Sequence, residues 1–99
     1  MTVVGSGGVV IQTIDYKTRF KKDLSKLDNV LRDTAIAKIE DLLKSPRPPG
    51  LAFEKLKGCR NPDIYTVHVT GNCKISMEIV GNQAILRRIA NHDEIDRAP

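Results

Sequence analysis

No stretch of this 99-residue sequence approaches the roughly 18 consecutive apolar residues of a membrane-spanning helix, which argues against a helical membrane protein. No basic segment followed by an apolar run opens the chain. Residues 1–8 are instead glycine-rich and read as a flexible tail before one domain over residues 9–99. Without an export signal, the expected compartment is the cytoplasm. Cysteine is scarce: Cys59 and Cys73 stand far apart with no CxxC spacing, which suits reduced, incidental thiols. His68 and Cys73 lack the paired spacing of a structural zinc site, so neither a metal nor any other cofactor is expected. Tryptophan is absent and the aromatics total two Tyr and two Phe, yet 40% hydrophobic and 28% charged residues are ordinary for a soluble domain. A domain this small buries about 60–65% of its unfolded surface, so its core is thin.

What the chain does have is an excess of positive charge, 16 Lys and Arg against 12 Asp and Glu, a formal net charge of +4. That balance favours nucleic acid or an acidic protein as partner. Much of it is local. Lys17, Arg19, Lys21, Lys22 and Lys26 surround Tyr16, Phe20, Leu24 and Leu27, which fall at helical spacing and predict a basic amphipathic helix. Such a face suits contact with RNA or the ribosome, although a solvated helix face has the same composition.

Before this helix, the β-branched run 9–14 predicts a buried strand. After it, Asp28-Asn29 suits a break and a new N-cap. Leu31, Ala35, Ile39 and Leu42 then predict a second helix, its apolar stripe widened by Ile36 and Leu43. The short connection implies an antiparallel helical hairpin. Ser45-Pro46-Arg47-Pro48-Pro49-Gly50 ends it, because proline cannot continue a helix. An irregular crossing segment with Lys55, Lys57 and Arg60 leads to three strand candidates, 64–70, 73–80 and 84–90, separated by Gly71-Asn72 and Gly81-Asn82. The expected fold is α+β: an N-terminal strand and helical hairpin packed on a small, mainly antiparallel sheet, the other sheet face left for water or a ligand.

Alternation puts Tyr65, Val67 and Val69 on one face, with Thr66 and His68 on the other; Ile75, Met77 and Ile79 oppose Lys74, Ser76 and Glu78. A three-residue loop, Gly71-Asn72-Cys73, would pair Val67 with Met77 and set His68 opposite Ser76, keeping the faces unmixed. In the last strand Ile85, Leu86 and Ile89 do not alternate. A three-residue loop would place Arg88 across from Ser76; a two-residue loop would choose Arg87. With His92 aimed the same way, the only two histidines of the chain would lie beside Lys74 and an arginine. That set suits phosphodiester cleavage by a ribose 2′-hydroxyl. One imidazole takes the 2′-OH proton, the other protonates the leaving 5′-oxygen, and the cations stabilise charge on the phosphorane. A histidine on an exposed strand or in a polar tail is also an ordinary surface residue.

Several segments resemble the RelE/ParE toxin superfamily, in order and across about nine-tenths of the chain. They are Thr18-Arg19-Phe20-Lys21-Lys22-Asp23-Leu24, Lys55-Leu56-Lys57-Gly58, Tyr65-Thr66-Val67-His68-Val69, and 86–95 with its Arg-x-x-x-His-x-acid tail. The resemblance implies a RelE-like, microbial RNase-like fold. It also implies the toxin of a type II toxin–antitoxin system, a metal-independent mRNA interferase that cleaves mRNA on the ribosome and is silenced by a cognate antitoxin. His68 and His92 match histidines that do the acid–base work in the YafQ-like branch, and Lys74 matches an arginine of the RelE-like branch. Thr66 stands where RelE-like members carry lysine. Asp96 stands where active members have Tyr or Phe, and Asn72 lies near a position where the YafQ-like branch has an acid.

The site expected from these readings is catalytic His68, His92, Lys74, Arg88 and Asp96, with RNA or ribosome contact through Lys17, Arg19, Lys21, Lys22, Lys55, Lys57 and Arg87. Two other readings stand beside it. A ParE-like poison of DNA gyrase would need no acid–base pair, and a non-catalytic relic that only binds antitoxin is suggested by Asp96.

Overall fold

The computed structural model describes residues 10–44, 48–56 and 63–99. Residues 1–8, Cys59, Lys57 and Arg60, on which expectations were placed, lie outside these. Strand β1 is Thr13–Tyr16, and two helices follow, α1 (Thr18–Ser25) and α2 (Asn29–Asp41). After a 3-10 turn at Pro49–Leu51 come β2 (Glu54–Lys55), β3 (Tyr65–His68), β4 (Cys73–Val80) and β5 (Gln83–Asn91), and the last helix is α3 (His92–Arg97). The strands form one sheet in the order β1-β5-β4-β3-β2. Only β1 runs parallel to its neighbour, β5; the other pairs are antiparallel.

The helical hairpin forms as the residues dictate. Asp28 caps α2, its carboxylate accepting from the Leu31 N–H at 2.8 Å. Phe20 from α1, with Ala35, Ile39 and Leu42 from α2 and its end, meets Val67, Ile75, Met77, Ala84, Leu86 and Ile89 of the sheet in one apolar core. Burying side chains of this size contributes about 1.5–3 kcal/mol each. The stripe on α2 is narrower than expected: Ile36 and Leu43 remain 42% and 47% exposed. The first strand also starts later than the apolar run, because β1 pairs with β5 only from Gln83 onward. Upstream, the Gln12 N–H bonds the Asn82 carbonyl at the β4–β5 turn.

Two details of register place the functional face. Strand β3 pairs His68 with Lys74 and Thr66 with Ser76, two residues out of the expected register. Val69 donates to the Cys73 carbonyl at 2.8 Å, so the loop is Thr70-Gly71-Asn72. A shift of two keeps every side chain on its predicted face, whereas a shift of one would have inverted them. Strand β5 leaves the two-residue Gly81-Asn82 turn with Val80 opposite Gln83, then slips by one between Met77 and Ser76, so that Ser76 faces Arg88. This β-bulge accounts for the broken alternation of Ile85, Leu86 and Ile89. Gly81 takes φ +60°, the left-handed conformation that such a tight turn asks of its first central residue.

The sheet face opposite the hairpin is not left open. Residues 92–97 form α3, capped by the Asn91 side chain on the Glu94 N–H at 2.8 Å, and α3 packs on β4 and β5. Ile95 is fully buried there, and Thr66, Ser76 and Lys74 are buried with it. The Thr66 and Ser76 hydroxyls have no hydrogen-bond partner among the described residues.

Cys73 faces the core, and burial pushes its thiol pKa up. Since the thiolate is the reactive species, the native chain should leave Cys73 unlabelled by iodoacetamide near neutral pH and label it on unfolding. Peptide mass spectrometry reads this, and fast labelling of Cys73 in the folded protein would contradict its placement.

Candidate active site

The two histidines come together at one corner of the α3-covered face. His68 ends β3, opposite Lys74 of β4, and Lys74 in turn faces Ala90 near the end of β5. His92 follows as the first residue of α3, its N–H bonded to the Asn72 carbonyl of the β3–β4 loop at 2.7 Å. The ring centroids of His68 and His92 lie 5.8 Å apart in an edge-on arrangement. Both rings are part-exposed.

Asp96 completes this corner. One turn along α3 from His92, its Oδ2 lies 3.2 Å from His92 Nδ1, and its Oδ1 accepts from Lys74 Nζ at 3.0 Å. The Lys74 side chain is only 5% exposed, so its charge is balanced where water is largely absent. Four of the five residues expected to be catalytic therefore meet: His68, His92, Lys74 and Asp96.

Arg88 lies on the next row, opposite Ser76, and is held on several sides. It bonds Asp23 of α1, Glu94 of α3 and the Ala98 carbonyl. Burial works against its charge, but the bonds to Glu94 and Asp23 outweigh it and raise the pKa of the guanidinium. Asp23 is 7% exposed and also accepts from the Ile89 N–H at 3.2 Å, beyond the last β1 residue paired with β5. Nothing in the hydrophobic pattern of α1 marked this aspartate as buried. Its position one turn after Arg19, which it also bonds, was the only hint.

Of the expected RNA contacts, Lys21 and Lys22 are exposed on α1 with no ion pair among the described residues. Lys17 lies 3.8 Å from the half-buried Glu78, and Lys55 pairs with the exposed Asp63 at 3.2 Å. Arg87 is bound by Glu78 and by the Pro99 carbonyl. One residue escaped the sequence reading. Arg97 joins His92, Gly71, Asn72, Asn91 and Asp93 in lining a cleft of about 630 Å³ beside the histidine pair. The sequence carried no signal for it, because its entry into the cleft depends on 92–97 being helical. No group of three or more His, Cys, Asp and Glu among the described residues is placed to hold a metal ion. No helix of those residues is long and apolar enough to cross a membrane.

Neither a protein-family model nor a curated protein sequence matches the chain. Solved structures do. The RelE of a RelB–RelE antitoxin–toxin complex from Methanococcus jannaschii superposes with a TM-score of 0.66 at 29% identity, over 86% of this chain and 99% of that one. The chain has the RelE-like toxin fold. Two further structures show the same fold at lower identity. YafQ in the E. coli DinJ–YafQ complex matches at TM-score 0.61 and 15% identity, over 83% of this RelE-like chain and 94% of that one. A RelE–RelB complex from Pyrococcus horikoshii matches at 0.63 and 14%, over 84% and 96%. The α+β, mainly antiparallel RelE-like fold expected from the sequence is the fold observed.

Proposed function

We propose that this RelE-like protein is the toxin of a type II toxin–antitoxin pair and a metal-independent endoribonuclease that cuts mRNA on the ribosome in the cytoplasm. The observation that carries the reading is the edge-on approach of His68 and His92, 5.8 Å between centroids, with His92 lining an adjoining cleft. Two imidazoles so placed reach the attacking and leaving oxygens of one phosphodiester. One accepts the proton of the 2′-hydroxyl as its oxygen bonds to phosphorus. The other gives a proton to the 5′-oxygen as the P–O5′ bond breaks, leaving a 2′,3′-cyclic phosphate and a 5′-hydroxyl. Lys74, its charge balanced by Asp96, supports the pair from beneath, and Arg97 stands where it meets a phosphate entering the cleft. Arg88, held by Asp23 and Glu94, fixes the face without touching substrate. Lys21 and Lys22, with the more loosely paired Lys17, Arg19 and Lys55, supply the electrostatic contact to RNA or ribosome.

The test is a translation reaction: the chain truncates reporter mRNA at codon-related positions. Gyrase-dependent DNA breaks with intact mRNA would establish the ParE-like alternative. The acidic antitoxin expected as partner should co-purify as the product of an adjacent small gene, and harmless overexpression of the chain alone would count against the pair. One placement favours a second reading. Asp96 puts a carboxylate between the imidazole of His92 and the buried Lys74, where it opposes an incoming phosphate, as in a toxin reduced to antitoxin binding.

A further inference from the structure

We infer that Asp96, at the position where active members of the RelE/ParE superfamily have Tyr or Phe, is a positioning residue for His92, anchored from below by Lys74. The inference rests on the ribonuclease reading and deepens it.

Three observations carry it. His92 and Asp96 stand four residues apart on α3, so the helix itself brings carboxylate and ring onto one face. The two oxygens of Asp96 are divided: Oδ1 accepts a hydrogen bond from Lys74 Nζ at 3.0 Å, and Oδ2 lies 3.2 Å from His92 Nδ1, an ion-pair contact that a small turn of the ring converts to a hydrogen bond. Lys74 is almost wholly buried, whereas Asp96 and His92 are 39% and 43% exposed, so the sheet holds the carboxylate still while the ring stays accessible. A buried ammonium demands a counter-ion, and Asp96 is its only ion-pair partner among the described residues. Asp93, also near Nδ1, is 96% exposed and 3.9 Å away, beyond hydrogen-bond range.

The chemical consequence concerns the tautomer. A carboxylate only accepts, so its approach to Nδ1 of His92 favours the proton on that nitrogen and leaves Nε2 to exchange a proton with substrate. Free imidazole side chains prefer the opposite form, with the proton on Nε2. Holding the ring in the less favoured tautomer is the role of the orienting acid in a nucleophile–base–acid triad.

The test uses the full chain labelled with nitrogen-15. Long-range proton–nitrogen correlation spectra of neutral His92 should show the Nδ1–H form in the native chain. They should show a switch to Nε2–H in Asp96→Ala and in Lys74→Met/Asp96→Ala, where both charges go together and folding is protected. Asp96→Glu should keep the native tautomer. On ribosomes programmed with reporter mRNA, Asp96→Ala should lower kcat by about 10²–10⁴-fold with KM nearly unchanged, and Asp96→Glu should restore most of the rate. An Nε2–H native form, or an Nδ1–H form that persists in both variants lacking Asp96, overturns the positioning role, as does undiminished kcat in Asp96→Ala. If the tautomer switches as expected but no chain cuts mRNA, the ribonuclease reading fails and the orienting contact stands.

Discussion

His68→Ala and His92→Ala should each reduce mRNA cleavage by about 10²–10⁴-fold, the range for losing one acid or base, while leaving the protein folded. Both rings are part-exposed and neither belongs to the apolar core, so truncation opens no internal cavity. The double variant should be hardly worse than the poorer single one, because the two groups serve one bond-making and bond-breaking event. Initial cleavage rates on programmed ribosomes, alongside urea unfolding of each variant, measure this. Rates that stay within a few-fold of the native chain would mean that the imidazoles are bystanders.

The largest expected effect on stability lies away from the histidines. Asp23→Ala should lower the unfolding free energy by about 3–5 kcal/mol, the cost of removing one partner from a buried ion pair. In a domain whose total stability is about 5–15 kcal/mol, that is a large share. The Asp23 carboxylate holds Arg88 and Arg19 and closes the free N–H of Ile89 at the end of the β1–β5 pairing. Without it, the Arg88 guanidinium, 12% exposed, keeps only Glu94 and a carbonyl, and α1 loses its polar tie to β5. Urea unfolding with an unchanged m-value would report this directly. A loss below about 1 kcal/mol would show that water replaces the carboxylate without penalty.

Hydrophobic spacing made the hairpin of α1 and α2 legible, and alternation placed the faces of β3 and β4, because both patterns follow directly from burial. It was less informative where two local rules competed. Ile85-Leu86-Arg87-Arg88-Ile89 supported either arginine, and the bulge reconciles the two: the tight turn sets the first half of β5, and the one-residue slip brings Arg88 opposite Ser76. The β3–β4 register was off by two residues because polar Thr70 was read into the strand instead of the loop. Helix α3 was read as a tail, since six residues with one apolar side chain, Ile95, carry almost no periodic signal. Missing that helix hid the partnership of Asp96 with Lys74 and the entry of Arg97 into the cleft. The convergence of His68 and His92 was legible because a register shift of two preserves strand parity and His92 directly follows the end of β5.

The most direct measurement replaces the ribose 2′-hydroxyl at one cleavage site. A reporter mRNA carrying a single 2′-deoxynucleotide immediately before the cut should resist the chain at that site and be cut normally elsewhere, with 2′,3′-cyclic phosphate and 5′-hydroxyl ends. Cleavage that persists at the deoxy position and leaves 5′-phosphate ends would contradict in-line attack between the paired histidines.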